Sequence, residues 1–381
     1  MSNTQKKNVP KLRFPGFEGE WEEKKLEDII KVNSGKDYKH LDKGDIPVYG
    51  TGGYMTSVSE PLSEIDAVGI GRKGTINKPY LLEAPFWTVD TLFYCTPKKE
   101  TDILFILSLF RKINWKVYDE STGVPSLSKQ TINKINRFVP TNKEQQKIGD
   151  LFSKLDRQIE LEEQKLELLQ QQKKGYMQKI FSQELRFKDE NGNDYPDWEK
   201  KKLKEIACVY TGNTPSKKEN IYWNKGEYVW VTPTDINNSK NIYESEHKLT
   251  QEGYKKARQL PENTLLVTCI ASIGKNAILR KQGSCNQQIN AVVPFENINI
   301  DYLYYISDSL STFMKYIAGK TATQIVNKNT FENLEIYLAS FEEQNKIADL
   351  ISSLEELIEK QASKLIKMKS RKQGMLQIMF I

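Results

Sequence analysis

Two stretches of this chain, residues 144–182 and 343–381, carry the same spacing of apolar side chains, and that spacing dictates a pair of long helices. The first opens Glu144-Gln-Gln-Lys-Ile-Gly-Asp-Leu151 and the second Glu343-Gln-Asn-Lys-Ile-Ala-Asp-Leu350, an offset of 199 residues. The offset holds to the far end, where Gly175, Gln178 and Phe181 return as Gly374, Gln377 and Phe380. Seam positions alternate by four and three, the period of a coiled coil. In the first copy they are Ile148, Phe152, Leu155, Ile159, Glu162, Leu166, Leu169, Lys173, Tyr176 and Ile180. In the second they are Ile347, Ile351, Leu354, Ile358, Gln361, Leu365, Met368, Lys372, Met375 and Met379. Neither copy contains proline, so 39 residues at about 1.5 Å each give rods of about 58 Å. A rod with one apolar stripe cannot bury that stripe alone. The competing arrangement is two separate helices, each packed on its own domain; matched length, phase and polar interruptions favour the rods packing on each other.

An antiparallel register follows from pairing polar seam residues. Glu162 is expected opposite Lys372 and Lys173 opposite Gln361, with apolar partners at every other seam position from Leu155 onward. Sliding by one heptad would set Leu155 against Lys372, a poorer match. Polar seam residues of this kind fix register at some cost in stability.

A chain of 381 residues is long enough for two or three domains with their own cores. The longest apolar run, Ile103–Phe110, is too short to span a bilayer, and the N-terminal residues lack the apolar core of a signal peptide. Cys95, Cys208, Cys269 and Cys285 show no CxxC spacing, which reads as reduced thiols in a cytoplasm. With His40 and His247 the only histidines, a histidine-rich metal site is not expected and no metal ligands are assigned. Net charge is +6, distributed as +4 over 1–143, zero over 144–182 and 183–342, and +2 over 343–381. That balance permits a nucleic-acid partner without requiring one.

The repeat extends beyond the rods. Trp21-Glu-Glu-Lys-Lys-Leu-Glu-Asp-Ile29 returns as Trp198-Glu-Lys-Lys-Lys-Leu-Lys-Glu-Ile206, offset by 177, and Leu12-Arg-Phe14 returns as Leu185-Arg-Phe187. The chain therefore reads as lead-in, globular region and rod, twice over. Domain bounds follow: a first globular region at 1–143, a first spacer helix at 144–182, a second globular region at 183–342 and a second spacer helix at 343–381. The first region mixes short β-rich runs (Ile46–Tyr49, Ala67–Ile70, Phe86–Tyr94) with a helix around Ile103–Val117. The second has runs at Tyr228–Val231, Thr264–Cys269 and Ile289–Pro294 and a helix near Tyr302–Ile317. The fold class is α+β, two α/β domains separated by an antiparallel two-helix coiled-coil spacer with a pseudo-two-fold internal repeat. Between lead-in and rod the two regions differ, except at scaffold positions such as Gly74 with Gly274 and Asp90 with Asn290. Two diverged domains on one scaffold suggest similar tasks on different targets; duplication followed by drift is the plain alternative.

Gly69-Ile-Gly71-Arg-Lys-Gly74 matches GxGxxG, but no helix pattern follows, so a dinucleotide site is not expected. The cations and polar groups around it matter more: Lys36, Arg72, Lys73, Thr75 and Lys78 beside Trp87, Thr88 and Asp90. Such a turn can hold phosphates while side chains reach base edges. In the second region the comparable polar turns carry Thr214, Ser216, Lys217, Ser272 and Lys275. Asn286, Gln287, Gln288 and Asn290 form an amide-rich run, and Thr323 and Gln324 lie in a further polar loop. Asparagine and glutamine pair with adenine through two hydrogen bonds, although amides also terminate turns. Catalytic signatures are missing: there is no Asp/Asn-Pro-Pro-aromatic motif, no GxxxxGK[ST] loop and no GxSxG elbow. Asp197, Glu199 and Lys201 imitate a nuclease motif, but the carboxylates are only two residues apart and the first copy lacks the Pro-Asp.

These residues resemble the specificity (S) subunits of type I restriction-modification enzymes. The likeness runs through LRFPGF…W…KKLEDI, GRKGTINK…FWTVDTLFYC, LTQEGYKKAR…ASIGKNAI…NQQIN and the paired EQQKI and EQNKI. The resemblance implies two target-recognition domains, each reading one half of a split DNA sequence. It implies a non-catalytic subunit that binds no cofactor itself and docks two methyltransferase subunits, which use S-adenosylmethionine. A translocating nuclease subunit, using ATP and magnesium, is a further implied partner. The methyltransferase contacts are expected on the rods near Gln145–Lys154 and Gln344–Ser353. Half-sites on one face of B-DNA lie roughly 34–36 Å apart, within reach of such rods. The competing functional class is a coiled-coil interaction scaffold without sequence reading; a self-sufficient modification enzyme lacks its motifs.

Overall fold

The computed structural model describes residues 8–237, 239–318 and 325–381. The chain forms two compact units, Met1–Leu166 with Gln361–Ile381, and Glu167–Lys360. Each unit thus contains a part of both long helices.

In the first unit, β1 (Glu22–Lys25) leads through the one-turn helix α1 (Leu26–Ile29) into β2 (Ile30–Ser34). There follow β3 (Ile46–Gly50), β4 (Gly53–Val58), β5 (Ala67–Gly71), β6 (Tyr80–Leu82), β7 (Trp87–Thr88) and β8 (Leu92–Pro97). Helix α2 (Ile103–Lys112), helix α3 (Lys129–Asn133) and β9 (Asn136–Val139) precede the spacer helix α4 (Asn142–Phe181). The strands make a sheet in the order β2-β8-β5-β6, a smaller sheet β4-β3-β7 and a ribbon β1-β9. The run Phe86–Tyr94 is not one strand: β7 joins the small sheet and β8 the large one, with a turn between. The expected helix Ile103–Val117 ends at Lys112, and Trp115–Tyr118 forms a short 3₁₀ turn.

The second unit repeats this topology. It contains β10 (Glu199–Lys202), α5 (Leu203–Ile206), β11 (Ala207–Thr211), β12 (Tyr228–Val231), β13 (Asn241–Ile242), β14 (His247–Leu249) and α6 (Gln251–Lys256). Then come β15 (Thr264–Thr268), β16 (Asn276–Leu279), β17 (Gly283–Cys285), β18 (Ile289–Pro294), α7 (Ile300–Ala318), α8 (Lys328–Glu332), β19 (Glu335–Leu338) and the spacer helix α9 (Phe341–Met379). Its sheets are β11-β18-β15-β16-β13, β14-β12-β17 and β10-β19, the first unit's plan with one strand added.

A duplicated ion pair ties each lead-in to its spacer helix. Arg13 donates through Nε (2.7 Å) and Nη2 (2.8 Å) to the buried Glu144 carboxylate. Arg186 does the same to Glu343 at 2.8 and 2.9 Å, and Glu343 also accepts from Trp198 Nε1 at 2.9 Å. The next residue of each helix brackets the turn before it: Gln145 Nε2 donates to Pro140 O, and Gln344 Nε2 to Ala339 O, both at 2.9 Å. The repeated Leu-Arg-Phe and Glu-Gln segments, far apart in sequence, are therefore one structural device.

All twenty seam positions are buried or half-buried, which bears out the 3.5-residue period. In the first unit, Ile148 and Phe152 pack in one core with Leu376, Met379 and Phe380, so the two helical segments run antiparallel. In the second unit Ile180 shares a core with Ile347 and Ile351. The expected register is wrong. Gln361 Nε2 donates to Glu162 O at 2.9 Å and to its carboxylate at 2.6 Å, Lys372 pairs with Asp156, and Lys173 pairs with Glu355 at 2.6 Å. These contacts place the helices about one heptad from the register first expected. The cause is physical: a lysine at a seam position does not need an opposite seam residue. Lys372 passes Leu155 to reach Asp156, and Lys173 passes Leu354 to reach Glu355.

Among the described residues no helix is long and apolar enough to cross a membrane, and no group of three or more His, Cys, Asp or Glu could hold a metal ion. Cys95, Cys269 and Cys285 are buried and free, and Cys208 is exposed and free. Burial pushes the Cys269 and Cys285 thiols up to about 12.

Candidate nucleic-acid interface

In the first unit a single turn, residues 88–91, holds two basic turns against each other through backbone hydrogen bonds. Lys36 N donates to Thr88 O at 2.8 Å, while Arg72 N and Lys73 N donate to Thr91 O at 2.8 and 3.3 Å. Gly35 is required here, because a Cβ at that position would sit 2.0 Å from Val89 O. Lys36, Arg72, Lys73, Lys78 and Asp90 are exposed, and Thr75 is half-buried. Arg72 lies over the Phe93 ring at 5.9 Å, with Lys129 over the same ring at 6.0 Å. Trp87 and Thr88 are buried and present little or no surface to a ligand. Trp87 serves as a support, donating from Nε1 to Lys36 O at 2.9 Å. Gly74 adopts φ 85°, and its repeat Gly274 φ 82°, so the matched glycines mark matched left-handed turns.

The second unit assembles its loops around Asn213, the counterpart of Lys36 at the same 177-residue offset. Asn213 N donates to Cys285 O (3.0 Å), its Nδ2 to Lys256 O (2.9 Å), and its Oδ1 accepts from Arg258 N (2.6 Å). Gly212 is pinned as Gly35 is, with a Cβ only 2.2 Å from Asn286 O. Thr214 Oγ1 donates to Gln287 Oε1 at 2.7 Å, linking two of the expected contact residues. Lys217 is exposed over Trp230 at 6.0 Å, and the carbonyl of exposed Ser216 accepts from Trp223 Nε1 at 3.0 Å. Ser272 and Lys275 are exposed on the next turn, whose base is joined to the amide run by Cys269 N donating to Gln288 O at 2.8 Å.

The amide run divides. Gln287 is exposed and Gln288 half-buried, but Asn286 and Asn290 are buried. Asn290 Oδ1 accepts from Thr211 Oγ1 at 2.9 Å, and Asn286 Nδ2 donates to Gln288 Oε1 at 3.0 Å. Those two asparagines hold the loop and have no free face for a base. Thr323 and Gln324 lie outside the described residues.

Several residues of this surface escaped the sequence reading. Lys129 beside Arg72, and Arg258 over the Tyr210 ring at 5.4 Å, add cations to the two sites. The paired glycines were within reach: Val32-Asn-Ser-Gly35 and Val209-Tyr-Thr-Gly212 continue the repeat that begins at Trp21 and Trp198. The spacer stretches expected to meet a partner are also partly committed inward. Gln145, Ile148, Gly149 and Phe152 are buried, as are Gln344, Ile347, Ala348 and Ile351, leaving Gln146, Lys147, Asp150 and Lys154, with Asp349 and Ser353, on the surface.

The profile of the type I restriction modification DNA specificity domain matches this chain twice, over residues 18–171 and 195–368. The chain belongs to that family. Among relatives, the type I restriction enzyme MjaIX specificity subunit of Methanocaldococcus jannaschii is 36% identical over 186 residues, 47% of this chain and 43% of that protein. The MjaVIII specificity subunit of the same organism is 24% identical over 324 residues, covering 78% of this chain and 71% of its own. The first of these matches therefore spans less than half of the relative's length. The crystal structure of the S subunit of the M. genitalium type I restriction-modification system has the same fold, with a TM-score of 0.68 at 13% identity, covering 98% of this chain and 99% of that one. Both copies of the specificity domain take in a sheet pair, its loop cluster and most of a spacer helix. Each match begins after the Leu-Arg-Phe segment and runs from the Trp21 or Trp198 stretch through the sheets into the rod, so the family's unit, like the repeat in the sequence, joins a globular domain to a long helix.

Proposed function

We propose that the chain is the DNA sequence-specificity subunit of a type I restriction-modification complex, reading a bipartite duplex target with one half-site per domain. The observation that supports this reading is a duplicated frame carrying different loops. Both units share one sheet plan, the pinned glycine and the ion pair at the helix start, yet one presents Lys36, Arg72, Lys73 and Lys78 and the other Thr214, Lys217, Lys275 and Gln287. A shared frame gives both domains one way of seating on the phosphate backbone, and divergent loops let them read different bases. The spacer sets the interval between half-sites. Two methyltransferase subunits, which supply S-adenosylmethionine chemistry, dock on the chain, and a nuclease subunit using ATP and magnesium joins them. The chain itself contributes no reacting group and works in the cytoplasm.

The test is selection from a random duplex library by the chain assembled with its methyltransferase subunits. The expected product is two defined base clusters separated by a fixed number of unread positions. Recovery of a complete complex that enriches no sequence would leave the interaction-scaffold reading in its place.

A further inference from the structure

One exposed turn occupies the same place in both units and carries different side chains. Strand register fixes the match: Ser34 stands opposite Phe93 across β2 and β8, and Thr211, its repeat, stands opposite Asn290 across β11 and β18. The hydrogen bonds of the turn agree. Lys36 N donates to Thr88 O as Asn213 N does to Cys285 O, and Arg72 N donates to Thr91 O as Cys269 N does to Gln288 O. Within the turn, Leu92 N donates to Val89 O at 3.0 Å and Ile289 N to Asn286 O at 3.2 Å. The acceptors of each pair are 197 residues apart, so Asp90 corresponds to Gln287 and not to Asn290, the partner expected from sequence. Gly35 and Gly212 are pinned against the same carbonyl of this turn, that of Val89 in one unit and Asn286 in the other.

Asp90 and Gln287 are both exposed. Arg72 Nη1 donates to the Asp90 carbonyl oxygen at 3.5 Å, while the Asp90 carboxylate enters no hydrogen bond or ion pair among the described residues. Its side chain therefore supports no neighbour, and its charge opposes phosphate binding on a turn bonded to those of Lys36, Arg72 and Lys73. A base edge is the one part of a duplex that such a group can favour. Gln287 is held differently. Thr214 Oγ1 donates to its Oε1 at 2.7 Å, which orients the amide and leaves Nε2 without a partner among the described residues. The oxygen keeps a second lone pair, so the amide offers a donor and an acceptor side by side.

These end groups select different bases. In the major groove cytosine presents a donor, its N4 amine, with no acceptor beside it; adenine sets N7 next to its N6 amine, and guanine and thymine present acceptors. An acceptor-only carboxylate therefore favours cytosine. An amide with donor and acceptor both free matches N6 and N7 of adenine. We propose that Asp90 and Gln287 are one base-reading position of the repeated frame, Asp90 selecting cytosine in its half-site and Gln287 adenine in the other. This rests on the DNA-reading function proposed above and adds the base chemistry of each half-site at that position.

The test uses the full chain assembled with its methyltransferase subunits and the random-duplex selection. Asp90→Asn and Gln287→Glu keep the size of each side chain and exchange its chemistry, so subunit content and melting temperature should stay at wild-type values. Asp90→Asn should turn one C·G pair of a single half-site into A·T and weaken binding to the wild-type target about tenfold. Gln287→Glu should make the reverse change, A·T into C·G, in the other half-site, with a similar loss. An unaltered motif from either variant would overturn the inference. So would a general gain in DNA affinity from Asp90→Asn with no change of motif, the outcome of removing a charge that reads nothing. A wild-type complex that selects no motif would instead overturn the underlying function.

Discussion

Removing the carboxylate that begins the second spacer helix should cost more than removing its repeat in the first. Glu343 is fully buried and accepts from Arg186 Nε and Nη2, from Trp198 Nε1 at 2.9 Å and from Phe187 N at 3.3 Å. Glu144 is equally buried and accepts from Arg13 at 2.7 and 2.8 Å, while Trp21 Nε1 has no hydrogen-bond partner. Breaking a buried pair by deleting one partner costs about 3–5 kcal/mol. Glu144→Ala should therefore destabilise the first unit by about that much. Glu343→Ala should add the cost of orphaning the Trp198 N–H, about 1–3 kcal/mol more. The cavity term is similar at both sites and cancels in the comparison. A chain of two units need not unfold in one step, so the readout is native-state hydrogen exchange of matched amides. Leu26 N, bonded to Ile135 O, reports on the first unit and Leu203 N, bonded to Leu334 O, on the second. Each variant should accelerate exchange in its own unit by about two orders of magnitude or more, with the larger change at Leu203. Equal effects, or a larger effect of Glu144→Ala, would refute the reasoning.

Three further outcomes follow from the same structure. Cysteines at Glu162 and Gln361 should form a disulfide far faster than cysteines at Glu162 and Lys372, measured by mobility under non-reducing electrophoresis; the opposite ranking would restore the rejected register. For Glu355, burial raises the carboxyl, but hydrogen bonds from Lys173 and Tyr305 and the charge of Lys240 outweigh it and hold the group below its usual range. A carboxyl lowered in the folded state stabilises above its unfolded value and loses that contribution as pH falls through the folded one. Glu355→Gln should thus destabilise the second unit near neutral pH, with the difference from wild type shrinking below about pH 4 in denaturant titrations; a difference independent of pH would contradict this. Inserting one heptad at equivalent positions of both spacer helices lengthens each by about 10.5 Å and should widen the unread interval of the target by about three base pairs, read from methylated sites. An unchanged interval would mean the helices do not set the spacing.

The long helices were legible because a 3.5-residue period survives 39 residues without a proline, and all twenty seam positions are indeed shielded. Their relative register was not, because a count of seam partners ignores how far a lysine can reach. Lys372 and Lys173 each find a carboxylate beside the seam, and those bonds offset the poorer apolar match. The strands Tyr228–Val231 and Ile289–Pro294 fell where β-branched runs predicted, whereas Phe86–Tyr94 broke because residues 88–91 must turn to bind both basic loops. Site residues were harder. Composition marked Asn286 and Asn290 as base readers, but an amide serves equally well to hold a loop, and only burial distinguishes the two uses. Trp87 likewise reads as a contact residue in sequence and is a support in the fold. Lys36, Arg72, Lys73, Lys78, Lys217 and Lys275 are all exposed, as a charge without a buried partner must be, so their exposure does not by itself distinguish a contact from a solvated side chain.

The central claim is that two unlike heads on one repeated frame read two separate halves of a DNA target. Genome-wide mapping of methylated bases, in cells supplied with this chain and its methyltransferase, addresses it most directly. One motif made of two defined clusters with a constant unread gap is expected, with a change in one cluster alone when Arg72 and Lys73, or Lys217 and Gln287, are replaced. Methylation at a single contiguous motif, or a change in both clusters from substitutions in one domain, would contradict it.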